Sequence, residues 1–387
     1  MSLSLVLRLR RRLTGITLIR NVFKRHPDTR PKQALFSYLV RPFYITSEDD
    51  PEFLIHSQWW QNRQIARLLD QRGYRVDVVN FDDARFTPDC AYDLVLGLGQ
   101  ACIRTSRAMP PETVRIYIMT GAESGFNNEQ ENRRLQSIKE RRGCDLEPRR
   151  MTRMDSKELA KFDGVACFGN EFNASLCRPF HKRPVTFNNC GMPGIRFLTK
   201  DYESARKHFL YLASFGQVHK GLDLLLETFA TLSECHLHIC TTLRQEADFV
   251  SCYRRELYET PNIHVHDWTP IDSPRFHKLC RTANNVVSAS CAEASAGAVV
   301  VGMHAGLIPV VSRECGIDTN DFGVTLPSCD IKQIRETISW VSSQSAQWHN
   351  HKSHQVREAA LGDYSQTAFI QRWNEILDDE ISRKRKT

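Results

Sequence analysis

The sequence has no uninterrupted apolar stretch of the roughly 18 residues that a membrane-spanning helix requires. Its short apolar start runs into arginines where a secretory leader would place its apolar core and cleavage site. Neither spanning nor secretion is expected. There is no collagen-like period and no low-complexity tract, and 41% apolar with 25% charged residues is the composition of a folded globular chain. The 13 cysteines include no Cys-x-x-Cys pair. Many of them, such as Cys167, Cys240 and Cys280, sit in apolar strand-like or helix-like runs, and they read as buried thiols in a reducing compartment. Acidic residues are scarce in 1–32, where nine Lys and Arg accompany Asp28 alone, while the rest of the chain is close to neutral.

With 387 residues the chain is too long for one ordinary domain, so two are expected. Segments 35–45, 74–79, 94–99, 114–120, 164–169 and 185–188 are short apolar runs that end in small or polar residues. Helical stretches alternate with them, including one after 56 that carries Ile65, Leu68 and Leu69. The pattern restarts at 209–215, continues through 237–241, 263–266, 285–288 and 307–312, and includes the helices 222–232 and 297–305. Such alternation predicts α/β domains, each built on a parallel sheet covered on both faces. Gly191, Pro193 and Gly194 interrupt the pattern at 190–201. The expected division is a basic N-terminal extension 1–32, a first domain 33–195, a second domain 196–364, and a terminal helix with basic tail 365–387. The leucines and arginines of the extension predict a contact with an anionic membrane surface. A nucleic-acid role is not expected, because aromatic residues and a recognisable binding module are missing.

In parallel α/β domains ligands bind beyond the carboxyl ends of strands. The segment 215–221 joins a strand to a helix with Gly216, His219, Lys220 and Gly221, and reads as a phosphate or diphosphate site or as a capped loop. The segment 288–297 places Glu293, Ser295 and Gly297 between a strand and a small-residue helix, where Glu293 is either a ligand for sugar hydroxyls or a surface carboxylate. Asn170 ends a strand near the expected cleft. Arg141, Arg142, Arg149, Arg150 and Arg153 form a second positive concentration, read as an anion site or as a salt-bridged loop. His56 starts a helical segment and is read as either cleft-facing or structural. The pairs His236/His238 and His264/His266 alternate along strands without a recognised zinc spacing, so no metal is expected.

Taken together, the Gly-x-x-x-Lys-Gly turn, Glu293 about 70 residues later, and the run Gly302 to Pro309 resemble the donor half of GT-B glycosyltransferases of the retaining family 4. The likeness leans toward a bacterial polysaccharide-associated subgroup. It implies two Rossmann-like domains facing across a cleft, with an acceptor domain first and a nucleotide-sugar domain second. It also implies a UDP- or GDP-sugar donor, no metal, no cofactor, and a glycan or lipid-linked acceptor. The enzyme would work in the cytoplasm, at the cytoplasmic face of the membrane if the basic arm binds there. On this resemblance Lys220 contacts the donor diphosphate and Glu293 lies near the transferred sugar, with His56 a catalytic candidate. Gly216, His219, Ser295, Gly297, Asn170 and Arg150 complete the donor-binding set. The family's second glutamate, which holds the ribose, is replaced by Val301, with Glu314 or Asp318 as substitutes. The arginine that accompanies the lysine is replaced by Phe215. The rival readings are a non-catalytic glycan- or partner-binding protein on the same scaffold, or a sugar-nucleotide epimerase.

Overall fold

The computed structural model describes residues 17–24, 32–45, 47–48, 50, 53 and 57–386. The first sheet contains β1 (Leu18–Ile19), β2 (Lys32–Tyr38), β3 (Tyr74–Asn80), β4 (Leu94–Gly97), β5 (Val114–Met119), β6 (Gly164–Phe168) and β7 (Pro184–Phe187). Their spatial order is β1-β3-β2-β4-β5-β6-β7. All neighbours are parallel except β1, which runs antiparallel to β3. The second sheet is wholly parallel: β8 (His208–Leu212), β9 (His236–Cys240), β10 (Ile263–Val265), β11 (Asn285–Ser288), β12 (Ile308–Val311) and β13 (Val324–Thr325), in the order β10-β9-β8-β11-β12-β13. Central strands such as Leu94–Gly97 and Ile308–Val311 are buried throughout, because helices cover both faces of a parallel sheet.

The expected strand 35–45 stops at Tyr38. Pro42 has no amide to give a ladder, and Arg41–Tyr44 folds into a 3-10 turn instead. Residues 17–24 do not behave as a free arm. Leu18 and Ile19 pair with Val79 and Val78, while Arg20 binds Asp77 and Asp89 at 2.9 and 2.6 Å. Lys32 opens β2, and residues 1–16 and 25–31 of the basic extension lie outside the described residues.

Two segments stitch the lobes together. Helix Ser124–Arg142 follows β5 of the first sheet, yet its Ile138 is fully buried in the core of the second lobe, with Leu135, Cys144 and Leu146 packed alongside. In the other direction, helix Gln366–Lys384 leaves the second lobe and returns to the first. It lays Phe369, Trp373, Ile376, Leu377 and Ile381 against a core that includes Leu94, Ile116 and Phe187. This is the apolar stripe its sequence period predicts.

The expectation of uniformly free thiols is corrected at one pair. Cys144 and Cys252, 108 residues apart, form a disulfide with Cα atoms 6.2 Å apart. That separation suits a bridge without backbone movement. Nine of the other cysteines are buried, and Cys90 and Cys329 are half-buried.

Candidate functional site

A cavity of about 320 Å³ lies where the carboxyl ends of both sheets meet. Thr120, Phe168 and Asn189 reach it from the ends of β5, β6 and β7, and Leu212, Cys240 and Trp268 reach it from β8, β9 and the loop after β10. Lys220, Glu293 and Arg150 supply its charge.

Lys220 is carried on the turn after β8. Gly216 has φ +88° and Gly221 φ +76°, and a Cβ at Gly221 would lie 2.2 Å from the Ala289 carbonyl oxygen, so only glycine fits there. The buried Glu246 carboxylate accepts the amides of Gly216 and Gln217, the latter at 3.0 Å. Gln217 ties the turn to the Thr241 hydroxyl and the Ser214 carbonyl. The amides of Gly216 and Gln217 are therefore already used, and the turn's contribution to the cavity is the Lys220 side chain.

Glu293 follows β11 and is held at both backbone ends. Its amide donates to the Glu314 carbonyl at 2.9 Å, and its carbonyl accepts from Asn173 of the first lobe at 2.8 Å. Its carboxylate forms a close ion pair with Lys220, both side chains being about 15% exposed. Burial pushes this carboxyl up, but Lys220, Arg150 and His219 outweigh it and pull the pKa down to about 2.

Arg150 comes from the first lobe. Its guanidinium stands 5.0 Å from the centroid of the Phe215 ring, a cation-π contact, and forms no ion pair among the described residues. The buried Glu131 carboxylate fixes its backbone by accepting the Arg150 amide at 2.8 and 2.9 Å and the Arg149 amide at 2.7 Å. Thus a cation occupies the neighbourhood of Phe215 after all, supplied from across the cleft. Nothing local in the sequence pairs positions 150 and 215.

The remaining sequence candidates divide. Ser295, Gly297 and Val301 line the cavity. Gly297 is required by the close approach of Asn189, whose Nδ2 would sit 2.7 Å from an added Cβ. Gly216, His219 and Asn170 do not line it, nor do Glu314 and Asp318. His219 is 1% exposed, with Nε2 against the Ala292 carbonyl and Nδ1 3.6 Å from Glu131, so it packs behind the site. Asn170 caps helix Glu171–Cys177 and donates to Asp318 at 2.7 Å. His56 lies outside the described residues. Arg141, Arg142 and Arg149 are spent on Asp223, Glu256 and Asp248 of the second lobe. Sequence reasoning missed Glu246, Asn189, and the stacking potential of Trp268, which is 48% exposed at the rim.

His208, His236, His238, His264 and His266 stack across β8, β9 and β10, with ring centroids 4.5 to 5.3 Å apart. They pair with one another, as in His208 Nδ1 to His238 Nε2 at 2.9 Å. Among the described residues no cluster of three or more His, Cys, Asp or Glu is placed to hold a metal.

No protein-family model matches the chain, and no curated protein matches it. Solved structures do. Sucrose-phosphate synthase from Thermosynechococcus elongatus superposes with a TM-score of 0.60 at 14% identity, over 92% of this chain and 100% of that one. A glycosyltransferase from Rickettsia africae gives 0.59 at 10% identity, over 90% and 99%. HepE from Anabaena, solved with UDP and glucose, gives 0.58 at 11% identity, over 90% and 100%. At such identities the likeness is one of fold. Two Rossmann-like lobes facing across a cleft give the chain the GT-B fold.

Proposed function

We propose that the protein is a retaining glycosyltransferase that moves a sugar from a nucleotide diphosphate donor to a glycan or lipid-linked acceptor, in bacterial surface polysaccharide synthesis. The observation that carries this reading is the convergence of Lys220, Arg150 and Glu293 on one interlobe cavity. Two cations beside a carboxylate suit a sugar diphosphate, whose leaving group gains charge as the bond to the sugar breaks. Trp268, Leu212, Ile271 and Val301 offer a flat ring and an apolar wall for the nucleoside. The UDP found with HepE is in keeping with a UDP-sugar, and a GDP-sugar is the other candidate.

In the resting site Lys220 is bound to Glu293. Donor entry exchanges that partner for diphosphate oxygens and leaves Glu293 free to accept from sugar hydroxyls. The bond from C1 to the diphosphate oxygen then breaks, and the acceptor oxygen bonds to C1 on the same face. The acceptor proton passes to the departing phosphate, and no protein nucleophile is required. Closure of the two lobes excludes water that would hydrolyse the donor. The basic N-terminal extension 1–32 would hold the enzyme at an anionic membrane surface, near lipid-linked acceptors.

Two observations favour a binding protein without turnover. Glu246 already fills the amide cradle at Gly216, and Val301 presents no acceptor to a ribose. Calorimetry with UDP and GDP, paired with NMR assignment of the product anomer, tests the reading. Nucleotide binding weakened by Arg150→Ala, and a product with the donor's anomeric configuration, support it. An inverted product removes the retaining mechanism, and absence of nucleotide binding removes the donor site.

A further inference from the structure

A second cavity, of about 480 Å³, opens at the opposite end of the first sheet from the cleft. Its walls come from the residues just before β6, the turn before β7, and the last turns of helix Gln366–Lys384. Five Lys and Arg line it, namely Arg178, Lys182, Arg183, Arg383 and Lys384, against the carboxylates Asp163 and Glu380, and Arg178 is itself held by Glu171 outside the lining. Both carboxylates are already neutralised. Asp163 binds Lys384 at 2.8 Å and also accepts the Arg115 amide at 2.8 Å. Glu380 holds Arg383 at 2.8 and 2.9 Å.

The wall is built rather than incidental. Glu380 is 2% exposed, and it reaches its position because residue 164 is glycine: a Cβ there would lie 2.7 Å from the Glu380 carboxyl carbon. Held in this way, Glu380 anchors the guanidinium of Arg383 at the cavity wall. Lys182 and Arg183 are exposed and form no ion pair among the described residues. The Arg183 amide donates to His181 Nδ1 at 3.3 Å, which fixes the turn that presents both cations. Phe162 and Phe180 supply an apolar surface beside them.

We propose that this cavity binds a phosphate monoester, with the phosphate between Lys182, Arg183 and Arg383 and the organic part against Phe162 and Phe180. An unbalanced set of Lys and Arg donors in a concave, partly apolar site is the chemistry that recognises a phosphate dianion. The ester is either a free metabolite or the headgroup of an anionic lipid. The site is separate from the cleft, and it stands whether or not the cleft transfers sugar.

The test titrates glycerol 3-phosphate into the full chain, its Lys182→Ala/Arg183→Ala double variant, and Lys220→Ala. Saturable binding that weakens about tenfold or more in the double variant and persists in Lys220→Ala is expected. Both substituted side chains are exposed, so the double variant should fold. No saturable binding, or binding that survives the double variant and disappears in Lys220→Ala, overturns the proposal. Retention on phosphatidylcholine vesicles with and without phosphatidic acid separates the sources. A phosphatidic-acid-dependent fraction lost in the double variant assigns the headgroup, and retention equal in both proteins assigns the free ester.

Discussion

At the scale of single residues, the site rests on cations whose partners come from distant parts of the chain. Folding holds the Glu293 carboxyl near pH 2, against about 4.5 for an ordinary glutamate. A depressed carboxyl pKa gives stability that is present above the unfolded value and is lost as the pH falls from about 4.5 toward 2. The shift corresponds to roughly 3 kcal/mol at neutral pH. Lys220→Ala removes the main attraction, so it should lower unfolding free energy by about 3 kcal/mol at pH 7 and by much less near pH 3. Denaturant titrations at the two pH values check this, and an equal loss at both would contradict it. The importance of Lys220 and Glu293 is legible in the sequence, because each sits directly after a strand in a glycine- or small-residue-rich turn. Their mutual ion pair is not, and neither is the placement of Arg150 over Phe215, because both depend on how separate segments meet. For the same reason, the sequence suggests His219 as a ligand although it is turned into the interior.

At the scale of elements, the turn 216–221 depends on Glu246, which lies beyond β9. Glu246→Ala leaves two buried amides unpaired and should cost about 1–3 kcal/mol, with the glycine turn losing amide-exchange protection first. The histidine stack sets the acid sensitivity of the second sheet. Burial, followed by the neighbouring imidazoles, lowers His208 to about 4 and His238 to about 2. Unfolded histidines take up protons below about 6.5, so this stability is complete above that pH and is lost as the pH falls through it. Each of the two should contribute a slope of about 1.4 kcal/mol per pH unit. His238→Gln should flatten the decline in unfolding free energy between pH 6.5 and 5, and an unchanged slope would show that the stack does not titrate on unfolding. The terminal helix is docked by Trp373, fully buried 4.9 Å from the Phe187 ring. Trp373→Ala should cost about 3–5 kcal/mol, measured by denaturant unfolding. Most strands and this helix are readable from periodicity to within a few residues, since period 2 and period 3.6 are local signals. The apolar pattern runs beyond the strand that ends at Tyr38 because apolar residues continue past Pro42, and β13, two residues long, has no periodic signal.

At the scale of the whole molecule, the two lobes are joined by more than a cleft. Helix Ser124–Arg142 and the segment after it bring Ile138 into the second core and three arginines onto second-lobe carboxylates, and the Cys144–Cys252 bridge closes the same seam. Non-reducing peptide mapping should recover that bridged pair, and two free thiols there would contradict the pairing. A contact across 108 residues leaves no trace in local pattern, which is why cysteine spacing did not reveal it. The α/β architecture, with helices on both faces of each sheet, is legible from alternation alone, whereas the interdigitation of the lobes is not. The central claim is that the cleft between them transfers a sugar from a nucleotide diphosphate. It is tested most directly by measuring nucleoside diphosphate release from a panel of UDP-, GDP-, ADP- and TDP-sugars, with and without mixed glycan and lipid acceptors, for the wild-type chain and Lys220→Ala. The account predicts selective release from one donor, raised by one acceptor pool and reduced about 100-fold or more in Lys220→Ala. No release from any donor, together with no nucleotide-induced rise in melting temperature, would contradict it.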